Sequence, residues 1–277
     1  MQRPMTSATS QRPSTRRKSS NVSVLSSDLG GVGSLFSGLI RNQVFAEPVQ
    51  PFALGRFSLP FWASALVVLP VFVQAPWVRI QPFTSCLFGL VLLGVGVITN
   101  AIAPRRGQDF GALLVGFSGS WLAGSLFWGW LASHPLLHVP VEAFALPLAV
   151  TGLQTRWRLG CAFYLASLLG TAFTDLAMAL TGVMTLWPAV IAASPGEASI
   201  LLQDAAAFVL KPSSLLMVGS MGVVILQLVQ YCRRRSNLTA PADKAWSVAA
   251  AVLFTTLLID GLFLSLSLLA PEMSGLV

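Results

Sequence analysis

The sequence predicts an all-α membrane protein, a polytopic bundle of about seven transmembrane helices. Hydrophobic residues make up 55% of the 277 residues and charged residues only 10%, whereas soluble domains carry about a quarter. The charges gather at intervals and leave charge-free runs at residues 80–104 and 110–141. An apolar run of about 20 residues matches a hydrocarbon core about 30 Å thick, whereas barrel strands would alternate over shorter segments. Helical spans therefore account for the composition.

Seven segments have the apolar character of a span. The fourth is the shortest, since its fifteen residues reach only about 22 Å at 1.5 Å per residue, so it must thin the bilayer, extend at one end or be partly re-entrant. Residues 181–193 either prolong the fifth span or fold back as a half-helix, with Gly182 and Pro188 as breakers. The predicted spans are residues 59–77, 83–103, 110–132, 139–153, 159–180, 205–231 and 245–270.

The distribution of basic residues predicts the orientation, because short cytoplasmic loops retain Lys and Arg. With the N-terminus inside, 15 of the 17 basic residues fall on the inner side, and only Arg79 and Lys211 fall outside. Deleting the fourth span would move Arg156 and Arg158 to the outer side. The sequence therefore predicts seven spans with the N-terminus inside and the C-terminus outside.

Residues 1–56 form a segment of different composition from the membrane domain at residues 57–277. They hold ten serines and the basic group at residues 16–18, against only two acidic residues. Low hydrophobicity with enrichment in Ser, Thr and Arg is typical of a disordered tail and equally of an organelle transit peptide. Both interpretations stay open.

The net charge of +7 does not indicate nucleic-acid binding, because the basic residues lie in the tail and beside apolar segments. The partner that the sequence indicates is the lipid bilayer. We find no metalloprotease, nucleophile-elbow, phosphate-loop or dinucleotide motif, which disfavours an enzyme, and the sequence indicates no particular cofactor.

A metal site is the weaker of two hypotheses for the two histidines. His134, His138 and Glu142 recur at four-residue spacing, so on one helix they would share a face and suit a divalent ion. Pro135 and Pro140 break the helix that this spacing assumes. We therefore favour an interfacial turn over a metal site.

Ionisable residues inside the predicted spans are the candidate site. Asp175 and Asp260 lie about fifteen residues into outward-running helices, which places both roughly 22–24 Å from the inner edge. Gln74 reaches the same level, while Glu142 and Lys211 lie near the outer starts of their spans. These five residues predict a polar layer in the outer half of the bilayer.

Two interpretations of this layer stay open. In one, the side chains line an outward-opening cavity in which Asp175 or Asp260 accepts a proton, a cation or a solute amine. In the other they join helices, with Lys211 paired to a carboxylate or Thr171 donating to Asp175.

Several stretches resemble a cyanobacterial multi-pass membrane family catalogued as domain of unknown function 3120. They are LP at 69–70, QAP at 74–76, WLAGSLFWGW at 121–130, PLLHVPVEAFALP at 135–147 and FYLASLLGTAFTD at 163–175. The resemblance covers roughly residues 57–190 and implies a thylakoid or plasma membrane of a photosynthetic host, or a chloroplast membrane if the tail is a transit peptide. It implies no reaction, cofactor or site residue.

The sequence thus predicts a carrier or binding protein for a small solute or ion. The alternative is an assembly or scaffold factor for photosynthetic membrane complexes, with other membrane proteins as partners. The basic tail and the stripes of small residues, which let helix backbones approach closely, would serve as its docking surfaces. The stripes are residues 112, 116, 120 and 124 on the third helix and residues 162, 166 and 170 on the fifth.

Overall fold

The computed structural model describes residues 58–238 and 243–271, and within them the chain forms helices and no strand. Seven of these helices are long and apolar enough to cross a membrane, which confirms the predicted all-α bundle. The inside position of the N-terminus and the outside position of the C-terminus stay predictions. The predicted tail at residues 1–56 lies outside the described residues.

We number the described helices α1 to α9 in chain order. The spans are α1 (Leu59–Ile80), α2 (Pro82–Ile102), α3 (Arg105–Leu131), α4 (Pro135–Gly152), α5 (Arg158–Thr181), α8 (Pro212–Leu238) and α9 (Lys244–Leu269). Two shorter helices connect α5 to α8, namely α6 (Trp187–Ala192) and α7 (Pro195–Val209).

The sixth span begins later than the sequence predicted. Residues 205–209 belong to α7, and the span itself is Pro212–Leu238. Proline has no N–H and disfavours helical backbone in the residue before it, so Pro212 begins a helix and separates it from α7. A capping box of Ser194 and Glu197 fixes the start of α7.

The segment after α5 breaks instead of prolonging that helix. Gly182 has a φ of 78°, a left-handed conformation that glycine adopts without steric cost. A single 3₁₀ turn, Val183–Thr185, follows it and leads into α6. Pro188 lies in the first turn of α6, where it starts a helix and does not end one.

Three spans depart from regular α-helix, namely α1 within its length, α3 over its last five residues and α4 along most of its length. Wide π-turns replace α-helix at Pro70–Gln74 in α1 and at Phe127–Leu131 in α3. The short fourth span is a succession of α and 3₁₀ turns, whose pieces are Pro135–Leu137, His138–Glu142, Ala143–Ala145 and Leu146–Gly152. The breaks between the pieces of α4 leave backbone groups without their helical partners, and a bilayer offers them no water.

Tyr164 of α5 supplies those partners to α4. The N–H of Ala145 donates to the Tyr164 hydroxyl oxygen at 3.1 Å, and the hydroxyl donates to the carbonyl of Glu142. One side chain therefore satisfies both sides of the break at residues 142–145.

The third span is the centre of the bundle. In its most apolar window 67% of the residues are buried, against at most 22% in any other span. Trp121 is fully buried among the rings of Phe88, Phe117 and Trp77, with which it makes edge contacts. Its indole N–H donates to the carbonyl of Ser85 at 3.0 Å, so the large ring is buried with its one polar atom paired.

Small residues bring α3 and α5 into backbone contact. A Cβ placed on Gly116 would lie 2.1 Å from the carbonyl oxygen of Gly160, and a Cβ on Gly160 would lie 2.0 Å from the carbonyl oxygen of Ala112. The small residues Ala112 and Gly116 of the α3 stripe are therefore at a packing surface within this chain.

We expect the Gly116→Ala substitution to destabilise the protein by about 1–3 kcal/mol, because its methyl group would push two helix backbones apart. Thermal unfolding in detergent, or unfolding by added sodium dodecyl sulfate, measures the loss. Gly94→Ala is the matched control, since a Cβ at Gly94 meets nothing within 4 Å. Equal stability of the two variants would contradict the close packing of α3 on α5.

Candidate functional site

A cavity of about 460 Å³ lies among the spans, and every described helix except α2 contributes to its wall. Most of the wall is hydrocarbon or aromatic. Among the described residues, the ionisable groups that line it are His138 of α4, Asp175 of α5 and Asp260 of α9. The two interrupted segments of α1 and α3 also line it, through residues such as Gln74 and Phe127. The π-turns, which are frequent at functional sites, therefore lie at the cavity.

His138 is held between two carboxylates. Its ring Nδ1 lies 3.1 Å from Oδ1 of Asp175, and its Nε2 lies 3.3 Å from Oε1 of Glu142. The three side chains are only 14–16% exposed. An imidazole has two N–H donors only when it is protonated, so this geometry suits the imidazolium form.

Local structure explains why His138 adopts this position. The helical piece His138–Glu142 is one turn long, enough to bring residues i and i+4 onto one face. The imidazole stacks on the ring of Phe127, with centroids 4.1 Å apart and planes 23° apart, and the edge of Trp128 lies beside it. Aromatic rings of α3 thus fix the ring that joins α4 to α5.

Asp260 reaches the cavity from α9. Its Oδ2 accepts a hydrogen bond from the Thr174 hydroxyl at 2.7 Å, and Thr174 precedes Asp175 in α5. The structure therefore brings Asp175 and Asp260, which were predicted to lie at equal depth, to one cavity. Their role in a solute pathway stays a prediction.

Gln74 lines the same cavity but is tied to α3. Its amide nitrogen donates to the carbonyl of Trp121 at 2.6 Å and to the Ser125 hydroxyl at 2.8 Å, and the side chain is almost fully buried. Ser125 in turn contacts the Ser85 hydroxyl at 2.8 Å. Both hydrogens of the amide are engaged, so Gln74 joins α1, α2 and α3 through a polar network.

The other two predicted site residues, Glu142 and Lys211, do not line the cavity with the aspartates. Glu142 contacts His138 on the side away from Asp175. Lys211 lies in the turn between α7 and α8, where its ammonium nitrogen is 3.2 Å from the centroid of the Phe208 ring. Among the described residues no carboxylate forms a salt bridge with Lys211, so a Lys211–carboxylate pair stays a prediction. The turn that carries Lys211 precedes Pro212, and the Lys211 ammonium group faces the Phe208 ring instead.

The two histidines do not share a face. His134 is exposed at the start of a 3₁₀ turn, and its Nδ1 lies 3.0 Å from the Ser133 hydroxyl. The turn at Pro135 separates it from His138 and Glu142. Within residues 58–238 and 243–271, no group of three or more His, Cys, Asp or Glu side chains is arranged to hold a metal ion.

Nothing in the sequence indicated a contact between His138 and Asp175. Four-residue spacing indicated the His138–Glu142 contact, but nothing in the sequence showed that α4 packs against α5 at that level. The sequence also carries no signal for the hydrogen bond from Thr174 to Asp260, since the two residues are 86 positions apart. Thr171, the donor considered for Asp175, is replaced in that role by an imidazole from another helix.

Residues 63–268 match the family model described as a protein of unknown function (DUF3120). The chain belongs to this family. The predicted resemblance is therefore confirmed, while the cyanobacterial host and the thylakoid membrane stay predictions. No curated protein and no solved structure is significantly similar to the chain. In this DUF3120 protein, His138, Asp175 and Asp260 all lie within the matched region.

We expect His138→Ala to destabilise the protein by about 1.5–3 kcal/mol, because Asp175 and Glu142 would lose a charge-assisted partner. Thermal unfolding in detergent measures this. His134→Ala is the control, since His134 is exposed and contacts neither carboxylate.

A triple variant identifies the cause of that loss. Adding Glu142→Gln and Asp175→Asn to His138→Ala removes the two unpaired charges, so stability should recover in part. A triple variant less stable than His138→Ala alone would show that the ring acts through packing on Phe127 and not through the carboxylates.

Proposed function

We propose that this protein binds a small organic cation, such as an amine, in the cavity and carries it across the membrane. The charge of the wall is the observation that carries the proposal. Two aspartates line the cavity with one histidine, and among the described lining residues there is no Lys or Arg. Even with His138 positively charged, the wall keeps a net negative charge, which a bound cation would balance.

An organic cation fits this wall better than an inorganic ion. Calcium takes six to eight oxygen ligands, and magnesium also requires a full shell of oxygens. Around Asp175 and Asp260 the wall offers mainly hydrocarbon and aromatic surface, including Phe127, Trp128 and Trp187. Such surface excludes a hydrated metal ion but favours alkyl groups, and aromatic faces attract ammonium groups.

The interrupted spans support a carrier in preference to a static binding protein. Many transporters place their substrate sites near the middle of the bilayer at discontinuous helices, whose broken ends contact the substrate. Here the π-turns of α1 and α3 and the fragmented α4 all contribute residues to one cavity. A cation at Asp175 would compete with His138 for the same carboxylate. Solute binding would therefore be coupled to the contact between His138 and Asp175.

The role of assembly or scaffold factor for photosynthetic membrane complexes stays a prediction from sequence. Co-purification of a stoichiometric membrane-protein partner in mild detergent would favour it. A monodisperse protein that takes up an alkylamine into liposomes would favour the carrier.

We expect Asp260→Asn to weaken binding of a linear alkylamine by roughly 10- to 100-fold, because a charged hydrogen bond contributes about 1.5–3 kcal/mol. Asp175→Asn should weaken it similarly. Isothermal titration with the purified full chain measures affinity, and uptake into proteoliposomes measures transport. Asp204→Asn is the matched control, since Asp204 is an exposed carboxylate of α7 that does not line the cavity.

Unchanged affinity and uptake in both cavity variants would refute the proposal. A wild-type protein that binds no alkylamine would do so as well. Circular dichroism and size exclusion establish that each variant is folded before its affinity is compared.

A further inference from the structure

A buried serine that lines the cavity has a hydroxyl group without a hydrogen-bond partner among the described residues. Four side chains with hydroxyl or amide groups line the cavity within the described part of the chain, namely Gln74, Thr174, Thr181 and Ser267. The first three donate hydrogen bonds, to α3, to Asp260 and to the carbonyl of Ala177 respectively. The Ser267 hydroxyl has no hydrogen-bond partner among residues 58–238 and 243–271, although Ser267 is only 1% exposed.

An unpaired hydroxyl in such a place is costly. Leaving a buried donor and acceptor unsatisfied is unfavourable, and serine in a helix ordinarily avoids this by donating to the carbonyl four residues before it. Ser265, two residues earlier in α9, does so by donating to Gly261 at 2.7 Å. The Ser267 hydroxyl makes no such bond within the described residues, and Ser267 lines the cavity.

The position of Ser267 relative to Asp260 follows from helix geometry. Both residues are in α9, and their separation of seven positions is almost two full turns, so the two side chains lie on the same face. At 1.5 Å per residue they are about 10 Å apart along the axis. Phe263 and Leu264 line the wall between them. The cavity therefore has a charged end, an apolar middle and a second polar point.

We propose that Ser267 is the second contact point for the solute. The solute class is then an elongated amine that carries a hydrogen-bonding group, such as a hydroxyl, about 10 Å from its nitrogen. Its ammonium group contacts Asp260 and Asp175, its alkyl middle lies against Phe263 and Leu264, and its distal group pairs with Ser267. This inference rests on the proposed binding of organic cations and adds the feature that selects among them.

Matched pairs of probes test the inference. Linear amino alcohols whose nitrogen–oxygen separations bracket about 10 Å are compared with alkylamines of the same carbon number, by isothermal titration with the full chain. Wild-type protein should prefer the amino alcohol of fitting length by about 3- to 10-fold over its alkylamine. Ser267→Ala should abolish that preference and leave alkylamine affinity unchanged. Ser265→Ala, the matched control, should keep the preference.

The outcomes separate this inference from the proposed function. If wild-type protein binds alkylamines and amino alcohols equally at every length, or if Ser267→Ala keeps the preference, the Ser267 contact is wrong while cation binding stands. If wild-type protein binds neither probe, the proposed function fails and the Ser267 contact fails with it.

The unliganded protein provides a second measurement. Ser267→Ala removes an unsatisfied hydroxyl, so its melting temperature without probe should equal or exceed that of wild type, whereas Ser265→Ala should not raise it. A clear drop in the Ser267→Ala variant would show that the hydroxyl has a structural partner, and would overturn the inference.

Discussion

A carboxylate within the hydrocarbon layer must find a partner, since its insertion costs roughly 2.5–3.5 kcal/mol even where it can adjust its position. In this protein the partners of Asp175 and Asp260 are an imidazole from α4 and a hydroxyl from α5. Glu142 stands behind the imidazole as its second acceptor. The contacts join α4, α5 and α9 around one cavity, where each of these charges has a partner.

The irregular segments of the spans carry the side chains that surround these charges. A regular α4 would continue through residues 142–145, whereas the fragmented helix presents His138 and Glu142 on a single turn and passes its unpaired backbone groups to Tyr164. The π-turn of α3 carries Phe127, on which the imidazole stacks, and the π-turn of α1 carries Gln74, which anchors α1 to α3. Irregular backbone at membrane depth is tolerated where protein encloses it, and here every break has an identified side-chain function.

The spans themselves were predictable because the bilayer allows few alternatives. Hydropathy located all seven, and helix rise placed Asp175 and Asp260 at one depth before either was located in the fold. The sixth boundary was not predictable from hydropathy, because residues 205–209 are as apolar as the span that follows and only the turn before Pro212 separates them.

Partners across helices were the part that sequence could not supply. They depend on which faces meet, and one sequence carries no signal for this. His138 therefore looked like one of a spaced pair with His134, when its neighbours in the fold are Phe127 and Asp175. Ser267 gave no signal at all, because an unpaired hydroxyl is recognisable only once every nearby acceptor has been located.

His138 lies between Asp175 and Glu142, and this arrangement determines which partner the imidazole keeps when a cationic solute binds Asp175. Removing one member of a buried ion pair ordinarily leaves the other unpaired at a cost of several kcal/mol. His138 has two carboxylate partners, so when a cation occupies Asp175 the imidazole still has Glu142, 3.3 Å away. Neither charge is then stranded in the low-dielectric interior. Under the proposed carrier function, an exchange of partners on Asp175 leaves no charge unpaired, which favours release of the solute.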